Sequence, residues 1–163
     1  MRSLRRTLIP LAMLLAAACG SSAKSSDSTP STTKPSATTV PKGRAAYLAA
    51  GNALCKTMNA KVAALPDPGS SASKEAAVND QAAKIVADTL AKLRKLPIPP
   101  GDEATVRAIY TKVDVIIADA PSLSAALRAD DQAAGQRAQV KLQKDTDAAN
   151  AASTAYGLKV CAS

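Results

Sequence analysis

From residue 44 onward, apolar residues recur at steps of three and four, which is the spacing of one face of an α-helix. Pro66 ends the first such segment, because proline lacks a backbone N–H donor and clashes with the preceding turn. No segment alternates like a strand over a useful length. The chain is therefore expected to be all-α. The expected inner face of the first helix, from Arg44 to Leu65, is Leu48, Gly51, Cys55, Met58, Val62 and Leu65.

Two further helical segments follow. The second runs from Ser73, the expected N-cap, to about Lys95. The third opens with Asp102, also a favourable N-cap residue. Pro121 falls inside the third segment, but the apolar residues keep the same phase on both sides of it. We therefore expect one bent helix that continues to about Ala129.

The fourth segment starts at Asp130 and Asp131 and stops before Gly157, a residue suited to the left-handed end of a helix. Its inner positions are mostly alanine, which predicts close helix packing and little internal volume. Four helices joined by short connections predict an antiparallel four-helix bundle over residues 44–163.

The first 18 residues have the three parts of an export signal. Basic Arg2, Arg5 and Arg6 precede an apolar run from Leu8, and small residues follow up to Cys19. The apolar run is roughly a dozen residues long, whereas a membrane-spanning helix needs about 20. The arginine pair is also a feature of twin-arginine export, although its neighbours fit that pattern poorly.

Residues 15–20, Leu-Ala-Ala-Ala-Cys-Gly, resemble a bacterial lipobox. In proteins with this motif the cysteine takes a diacylglyceryl group and the preceding peptide is removed. The resemblance implies lipidation of Cys19 and lasting attachment through two or three acyl chains to the outer face of the membrane. Ala16 stands where leucine is usual, and the alternative is an ordinary cleaved signal that leaves a free thiol.

Residues 19–43 form the expected tether between this anchor and the helical domain. Serine, threonine and proline dominate the segment, and it has almost no apolar side chains. Such a composition cannot bury enough apolar surface to offset the cost of ordering, so we predict a disordered segment. As a coil it would span roughly 27 Å, and as an extended chain up to about 75 Å.

Cys55 and Cys161 are the two cysteines that remain once Cys19 is lipidated. An even pair in an exported domain is most simply a disulfide, here between the first helix and the tail after the fourth. A redox-active pair is the alternative, but no Cys-x-x-Cys spacing is present.

The net charge of +8 does not indicate a nucleic-acid-binding protein. The signal and the tether carry most of it, and residues 44–163 hold 15 basic and 12 acidic side chains. This part of the chain has neither a basic run nor a stacking platform of aromatic residues. We therefore expect no nucleic-acid partner.

The residue types argue against an enzyme. The chain has no histidine, the commonest general base and metal ligand. Only Glu75 and Glu103 are available as glutamates, too few for a di-iron bundle site. Asp145 and Asp147 are two apart on a helix, so they point to different sides. We expect no catalytic residue, no metal and no cofactor other than the lipid on Cys19.

Two groups of polar residues leave alternatives open. Asn52, Asn59 and Asn150 either form a buried polar relay between the first and fourth helices, or merely face water or fix register. A basic cluster ends the second helix, where it complements the helix dipole and could also touch anionic lipid; it consists of Lys92, Arg94 and Lys95.

The chain is similar to small alanine-rich lipoproteins of high-GC Gram-positive bacteria. The resemblance covers nearly the whole chain and is carried by the lipobox, the tether, Cys55, the junction at residues 96–103 (LPIPPGDE) and the ending at residues 156–161 (YGLKVC). It implies a surface location and a helical fold, and it transfers no catalytic residue.

Two functions follow as expectations. The first is a non-enzymatic lipoprotein, bound to the membrane through its anchor, whose helical domain contacts an envelope protein or a wall polymer. The second is a module that binds a lipid or another apolar molecule between its helices, which needs a cavity of about 300 Å³ or more. The expected place for such a ligand is helix three beside Pro121, at Ile109, Val113, Ile116 and Ile117.

Overall fold

The structure is a computed structural model that describes residues 43–163. Within this range there are four α-helices and no strand, as predicted, and a disulfide ties the C-terminal tail to the bundle. The predicted signal peptide (1–18) and, except for Gly43, the predicted tether (19–43) lie outside the described residues. The elements are α1 (Arg44–Ala63), α2 (Ala72–Leu93), α3 (Glu103–Arg128), α4 (Gln132–Tyr156) and a short 3-10 turn (Lys159–Ala162).

The helix ends are set by local hydrogen bonds. The prediction of Ser73 as the N-cap of α2 is wrong, because Ser71 has the extended backbone of a cap and its hydroxyl accepts from the Lys74 N–H. The predicted start of α4 is correct, since Asp131 accepts from the Ala134 N–H. Gly157 ends α4 with a φ of 107°, the left-handed conformation expected there.

Two expectations for α3 have different outcomes. The helix is continuous through Pro121, as the unchanged apolar phase predicted. Asp102 stands at the N-cap position, but its side chain does not cap the helix. Its carboxylate instead accepts a hydrogen bond from the Tyr156 hydroxyl at 2.8 Å. The structure thus uses Asp102 for a tertiary contact between α3 and α4.

Successive helices pack against each other, and the C-terminal turn lies against both α1 and α4. We call one end of the bundle the Arg44 end; it comprises the start of α1, the end of α2, the start of α3, the end of α4 and the C-terminal turn. The Asp131 end comprises the start of α2, the end of α3 and the start of α4. The Arg44 end has a core of large side chains, among them Tyr47, Leu93, Tyr110, Tyr156 and Leu158.

The Asp131 end is packed with small residues. Ala76, Ala120, Ser124 and Ala126 are all buried there. Small side chains therefore make up the buried positions in this half of the bundle. None of the helices in residues 43–163 combines the length and the apolar character needed to cross a membrane.

The inner face of α1 differs from the prediction at two positions. Val62 is 37% exposed, so it does not belong to the core. Tyr47, which was not expected inside, is 3% exposed. Tyr47 lies one turn before Gly51 on the same stripe, so the helical spacing contained the signal for its burial.

Candidate functional site

The most extensively bonded region of the domain is the contact between α1 and the C-terminal turn. Cys55 and Cys161 form the predicted disulfide, with their Cα atoms 4.9 Å apart and 106 residues between them in sequence. Cys55 is 1% exposed, whereas Cys161 is only partly buried. Closing a loop of about this length removes unfolded-state entropy worth roughly 4.7 kcal/mol in the chain-entropy model.

Two asparagines on the same face of α1 hold the backbone of the turn. The Asn52 amide oxygen accepts from the Val160 N–H at 3.0 Å, and its NH₂ donates to the Gly157 carbonyl at 3.3 Å. The Asn59 NH₂ donates to the Val160 carbonyl at 3.0 Å. Asn52 and Asn59 therefore fix the tail, whereas Asn150 has no part in these bonds. This outcome differs from both the relay and the solvent-facing alternatives.

Close approach of α1 to the turn depends on Gly51. A Cβ atom at this position would lie 2.6 Å from Leu158 Cδ2. Leu158 is 1% exposed, so its side chain has no free space into which it could move. The glycine thus gives α1 the clearance that brings Asn52 and Cys55 within reach of the tail.

All three tyrosines of the chain meet at the Arg44 end. The Tyr110 hydroxyl donates to the Leu93 carbonyl at 2.9 Å, so Tyr47 is the donor in the 2.6 Å bond between the Tyr47 and Tyr110 hydroxyls. The ring of Tyr156 meets that of Tyr47 edge to face, with centroids 5.9 Å apart. These contacts join α1, α2, α3 and α4.

The environment keeps these phenols neutral. Burial, and after it the hydrogen bond with Tyr110, raises the pKa of Tyr47 above its ordinary value. Burial also raises the pKa of Tyr110. Burial and the hydrogen bond to Asp102 raise the pKa of Tyr156 to about 12. The tyrosines are therefore a structural hydrogen-bond network at neutral pH, not a source of phenolate.

Arg44, the first residue of α1, is held at this end by three contacts. Its guanidinium donates to the Tyr156 carbonyl at 3.0 Å and lies 4.5 Å from the centroid of the Tyr156 ring. It also forms an ion pair with Asp102 at 3.9 Å. The point at which the chain enters the domain is thereby fixed beside the junction of α2 and α3.

A surface groove of about 480 Å³ lies at the α2–α3 junction. Arg94 and Arg107 line it, together with Ile98, Tyr110 and Thr111. The Arg94 guanidinium donates to Asp114 and lies 5.7 Å from the centroid of the Tyr110 ring. Among residues 43–163, Arg107 has no ion-pair partner. The sequence alone could not show that Arg94 and Arg107 line one groove, because their proximity depends on how α2 and α3 pack.

A second groove of about 480 Å³ lies along α4. Its lining includes Val140, which is 66% exposed and is the most exposed of the large apolar side chains in the described range. Polar side chains surround that valine, so this groove is a mixed surface rather than an apolar pocket. The remaining lining residues are Gln139, Gln143, Lys144 and Asp147.

The four residues predicted to line an apolar ligand site lie on the packed side of α3. Ile109 is 5% exposed, and Val113 and Ile117 pack against the core as partly buried side chains. Ile116 is also partly buried. None of these residues lines either surface groove. Ligand binding at these positions stays a prediction.

The segment of α3 around Pro121 contains a buried polar contact instead. The Asn79 NH₂ donates to the Ala120 carbonyl at 2.9 Å and to the Ser124 hydroxyl at 2.8 Å. The Ser124 hydroxyl in turn donates to the Ala76 carbonyl at 3.3 Å. These bonds hold α2 against α3 at the Asp131 end.

The acidic residues of α4 have separate partners. Asp145 accepts from the Lys141 ammonium at 2.9 Å, and Asp147 accepts from the Gln143 amide at 2.8 Å. The two carboxylates do not converge, in agreement with their two-residue spacing. Within the described part of the chain, no group of three or more histidine, cysteine, aspartate or glutamate residues could hold a metal ion.

Comparison of the chain with protein-family models, with curated proteins and with solved structures gives no match. Any function therefore has to be argued from the residues and contacts of this chain alone.

Proposed function

We propose that the chain is an extracytoplasmic lipoprotein, attached through Cys19 to the outer face of the cell membrane, and that its helical domain is a non-enzymatic module for interaction with an envelope protein or a wall polymer. The observation that carries the proposal is the position of Cys19, between an apolar export segment and a long Ser/Thr/Pro-rich stretch. A cysteine at this boundary is typical of lipidated envelope proteins.

The folded domain gives independent support for an exported location. Disulfides form and persist in oxidising compartments and are rare in the cytosol. The Cys55–Cys161 bridge joins α1 to the C-terminal turn, and burial of Cys55 hinders attack by a soluble thiol on that sulfur. An oxidising compartment is therefore the expected setting for this fold.

The chemistry of the domain supports an interaction role over a catalytic one. The chain has no histidine, and its buried phenols have raised pKa values that keep them protonated. Six of the 12 acidic side chains of residues 44–163 form ion pairs with a lysine or an arginine. A rigid, disulfide-closed bundle of this kind supplies a fixed surface for a partner.

The anchor is tested by labelling cells that express the chain with an alkyne analogue of palmitate. The natural chain is expected to carry the label and to sediment with membranes. Cys19→Ala is expected to lose both the label and the membrane fraction, while Ser21→Ala, two positions away, keeps them. A Cys19→Ala variant that still carries acyl label would overturn the anchor.

The interaction role is tested on the chain without its lipid, purified from an oxidising compartment. Native mass spectrometry is expected to give the bare polypeptide mass, two hydrogens below that of the fully reduced domain. A stoichiometric additional mass that organic solvent extracts as lipid would contradict the interaction role. It would instead favour a carrier, and Ile109, Val113, Ile116 and Ile117 would then be the first positions to change.

A further inference from the structure

The α2–α3 junction at the Arg44 end concentrates positive charge. Residues 92–107 contain four basic and two acidic side chains, whereas the junction between α3 and α4, residues 128–137, contains two of each. Both acidic side chains of the first junction have partners within the protein. Asp102 accepts from Tyr156 and pairs with Arg44, and Glu103 accepts from the Gly101 N–H at 2.8 Å.

The basic side chains of this junction face solvent. Lys92, Arg94, Lys95 and Arg107 are all exposed. Arg94 and Arg107 share one groove, whose volume of about 480 Å³ exceeds what a phosphate group requires. Lys92 and Lys95 lie at the same end of α2 but do not line this groove, and among the four cations only Arg94 has an ion-pair partner within residues 43–163, Asp114.

The chain enters the domain at the same end. Arg44 is fixed against Tyr156 and Asp102, so residue 43 leaves the bundle beside the α2–α3 junction. Only 24 residues separate Cys19 from Arg44. The tether from a lipidated Cys19 therefore joins the domain at the Arg44 end. It limits how far that end can move from the bilayer more tightly than it limits the Asp131 end.

We propose that Lys92, Arg94, Lys95 and Arg107 form a docking surface for the anionic headgroups of the membrane that carries the anchor. This rests on the proposed attachment through Cys19. Charge complementarity and the entry point of the chain select the occupant, because a basic cluster near an anionic leaflet gains about fivefold in binding per cation at the surface. Docking would set which face of the bundle stays free for an envelope partner.

The first experiment uses the chain from Gly20 onward, which carries no lipid, because the described residues, 43–163, belong to one compact unit. Its partition is measured by co-sedimentation with vesicles of phosphatidylcholine alone or mixed with phosphatidylglycerol. Binding is expected to the mixed vesicles and to fall as salt is added, since screening weakens contacts between exposed charges. No excess binding to the mixed vesicles would overturn the proposal.

Matched variants locate the surface. Arg94→Gln with Arg107→Gln is expected to lower partition about twentyfold, from two cations at the surface. Arg128→Gln with Arg137→Gln removes the same charge at the Asp131 end and is expected to change it by less than about threefold. The two ends of α3 are about 39 Å apart, several Debye lengths at physiological salt. Equal losses in the two variants would mean that net charge alone causes binding, and would overturn the proposal.

A second double variant controls for an effect on folding, since Arg94 contacts Asp114 and Tyr110 and its replacement could weaken the fold. Lys92→Gln with Lys95→Gln changes the junction without those contacts and is expected to lower partition to a similar extent. Because the lipid is absent, these results do not depend on acylation. If the chain binds mixed vesicles but takes no acyl label, only the proposed anchor is wrong. If the chain takes the label but binds no better when phosphatidylglycerol is present, only the proposed docking surface is wrong.

The lipidated chain gives the orientation. Its three tyrosines all lie at the Arg44 end and the chain has no tryptophan, so energy transfer from tyrosine to a dansyl-labelled headgroup reports the distance of that end from the bilayer. Transfer is expected to be higher with phosphatidylglycerol than without it, and to drop with added salt. Equal transfer in both vesicles would contradict docking even where the anchor is present.

Discussion

The two ends of the bundle are stabilised in different ways. At the Arg44 end, contacts join residues that are more than 100 positions apart: the disulfide, the two asparagine side chains of α1 and the Arg44–Tyr156 hydrogen bond. At the Asp131 end, small residues let successive helices approach, and the Asn79–Ser124 contact spans 45 positions.

This difference between the two ends shows how a chain with no Phe or Trp can fold. Large core side chains are scarce, so the bundle gathers its three tyrosines, several leucines and its only bridge within the described range at one end. The other end depends on close packing of alanine, which leaves little apolar area per residue. We expect the Arg44 end to respond strongly to covalent and ionisation changes, and the Asp131 end to respond mainly to packing.

The largest effect is expected from loss of the disulfide. Cys55→Ala with Cys161→Ala should lower the free energy of unfolding by about 4 to 5 kcal/mol, because the unfolded chain regains the entropy of a long loop. Denaturant unfolding measures this change. Amide exchange should rise first in the C-terminal turn and later in the α3–α4 contact. An equal rise in amide exchange at both ends would contradict the view that the disulfide stabilises mainly the Arg44 end.

Alkaline pH should weaken the same end. The pKa of Tyr156 is about 12 in the folded protein against an ordinary value near 10, so the folded state keeps a proton that the unfolded state loses. The stabilisation is complete below pH 10 and is lost as pH rises from 10 to 12, by about 2 kcal/mol for this residue. Denaturant midpoints across this range measure it.

Tyr156→Phe is the control for the pH effect, since it keeps the ring and removes the ionisable hydroxyl. Its stability should fall less steeply between pH 10 and 12 than that of the natural chain. An absorbance titration of the natural chain that shows three tyrosines with ordinary pKa values would rule out this account.

Ser124→Ala tests the Asp131 end. Ser124 is fully buried and hydrogen-bonds with Asn79 and Ala76, so loss of its hydroxyl leaves the partly buried Asn79 amide without one partner. We expect a loss of about 1 to 3 kcal/mol in unfolding free energy. Ser122→Ala, on the exposed side of the same helix, should have almost no effect. Thermal unfolding that ranks the two variants the other way would contradict the buried contact.

The smallest effects are expected from two glycines, and they should have opposite signs. Gly51→Ala places a methyl group against Leu158 and should destabilise by about 1 kcal/mol, after the gain in helix propensity is subtracted from the cost of overpacking. Gly135→Ala meets only the Ala126 Cβ atom, at 3.8 Å, and should stabilise by about 0.5 to 1 kcal/mol. Chemical denaturation measures the unfolding free energy of both variants. Changes of the same sign would contradict the expected difference between the two ends.

Much of the fold was predictable from local signals. The three-and-four spacing located four helices to within about two residues, and the phase of the apolar residues carried α3 through Pro121. Gly157 was recognisable because few residue types favour a left-handed helix end. The Cys55–Cys161 pairing needed only the assumption that Cys19 is used elsewhere.

Other features of the candidate site were out of reach. The asparagines of α1 gave no sign that they bind the tail, because their partners are backbone atoms more than 100 residues away. Asp102 was expected to cap α3, but its carboxylate accepts from the Tyr156 hydroxyl, which only the packing of α4 brings near it. The prediction of Ser73 as the cap failed because Ser71 fits the same local pattern, and backbone conformation alone separates the two serines.

Local spacing and residue type were enough to predict the helical class, the helix limits to within about two residues and the charge of each segment. The disulfide followed once Cys19 was assigned to the anchor. Tertiary structure alone decided that Arg44 lies beside the α2–α3 junction, that Arg94 and Arg107 share a groove, and that the tyrosines form one network. Those relations depend on how helices pack over distances that no local pattern encodes, and the packing here is set by a few close approaches such as Gly51 against Leu158.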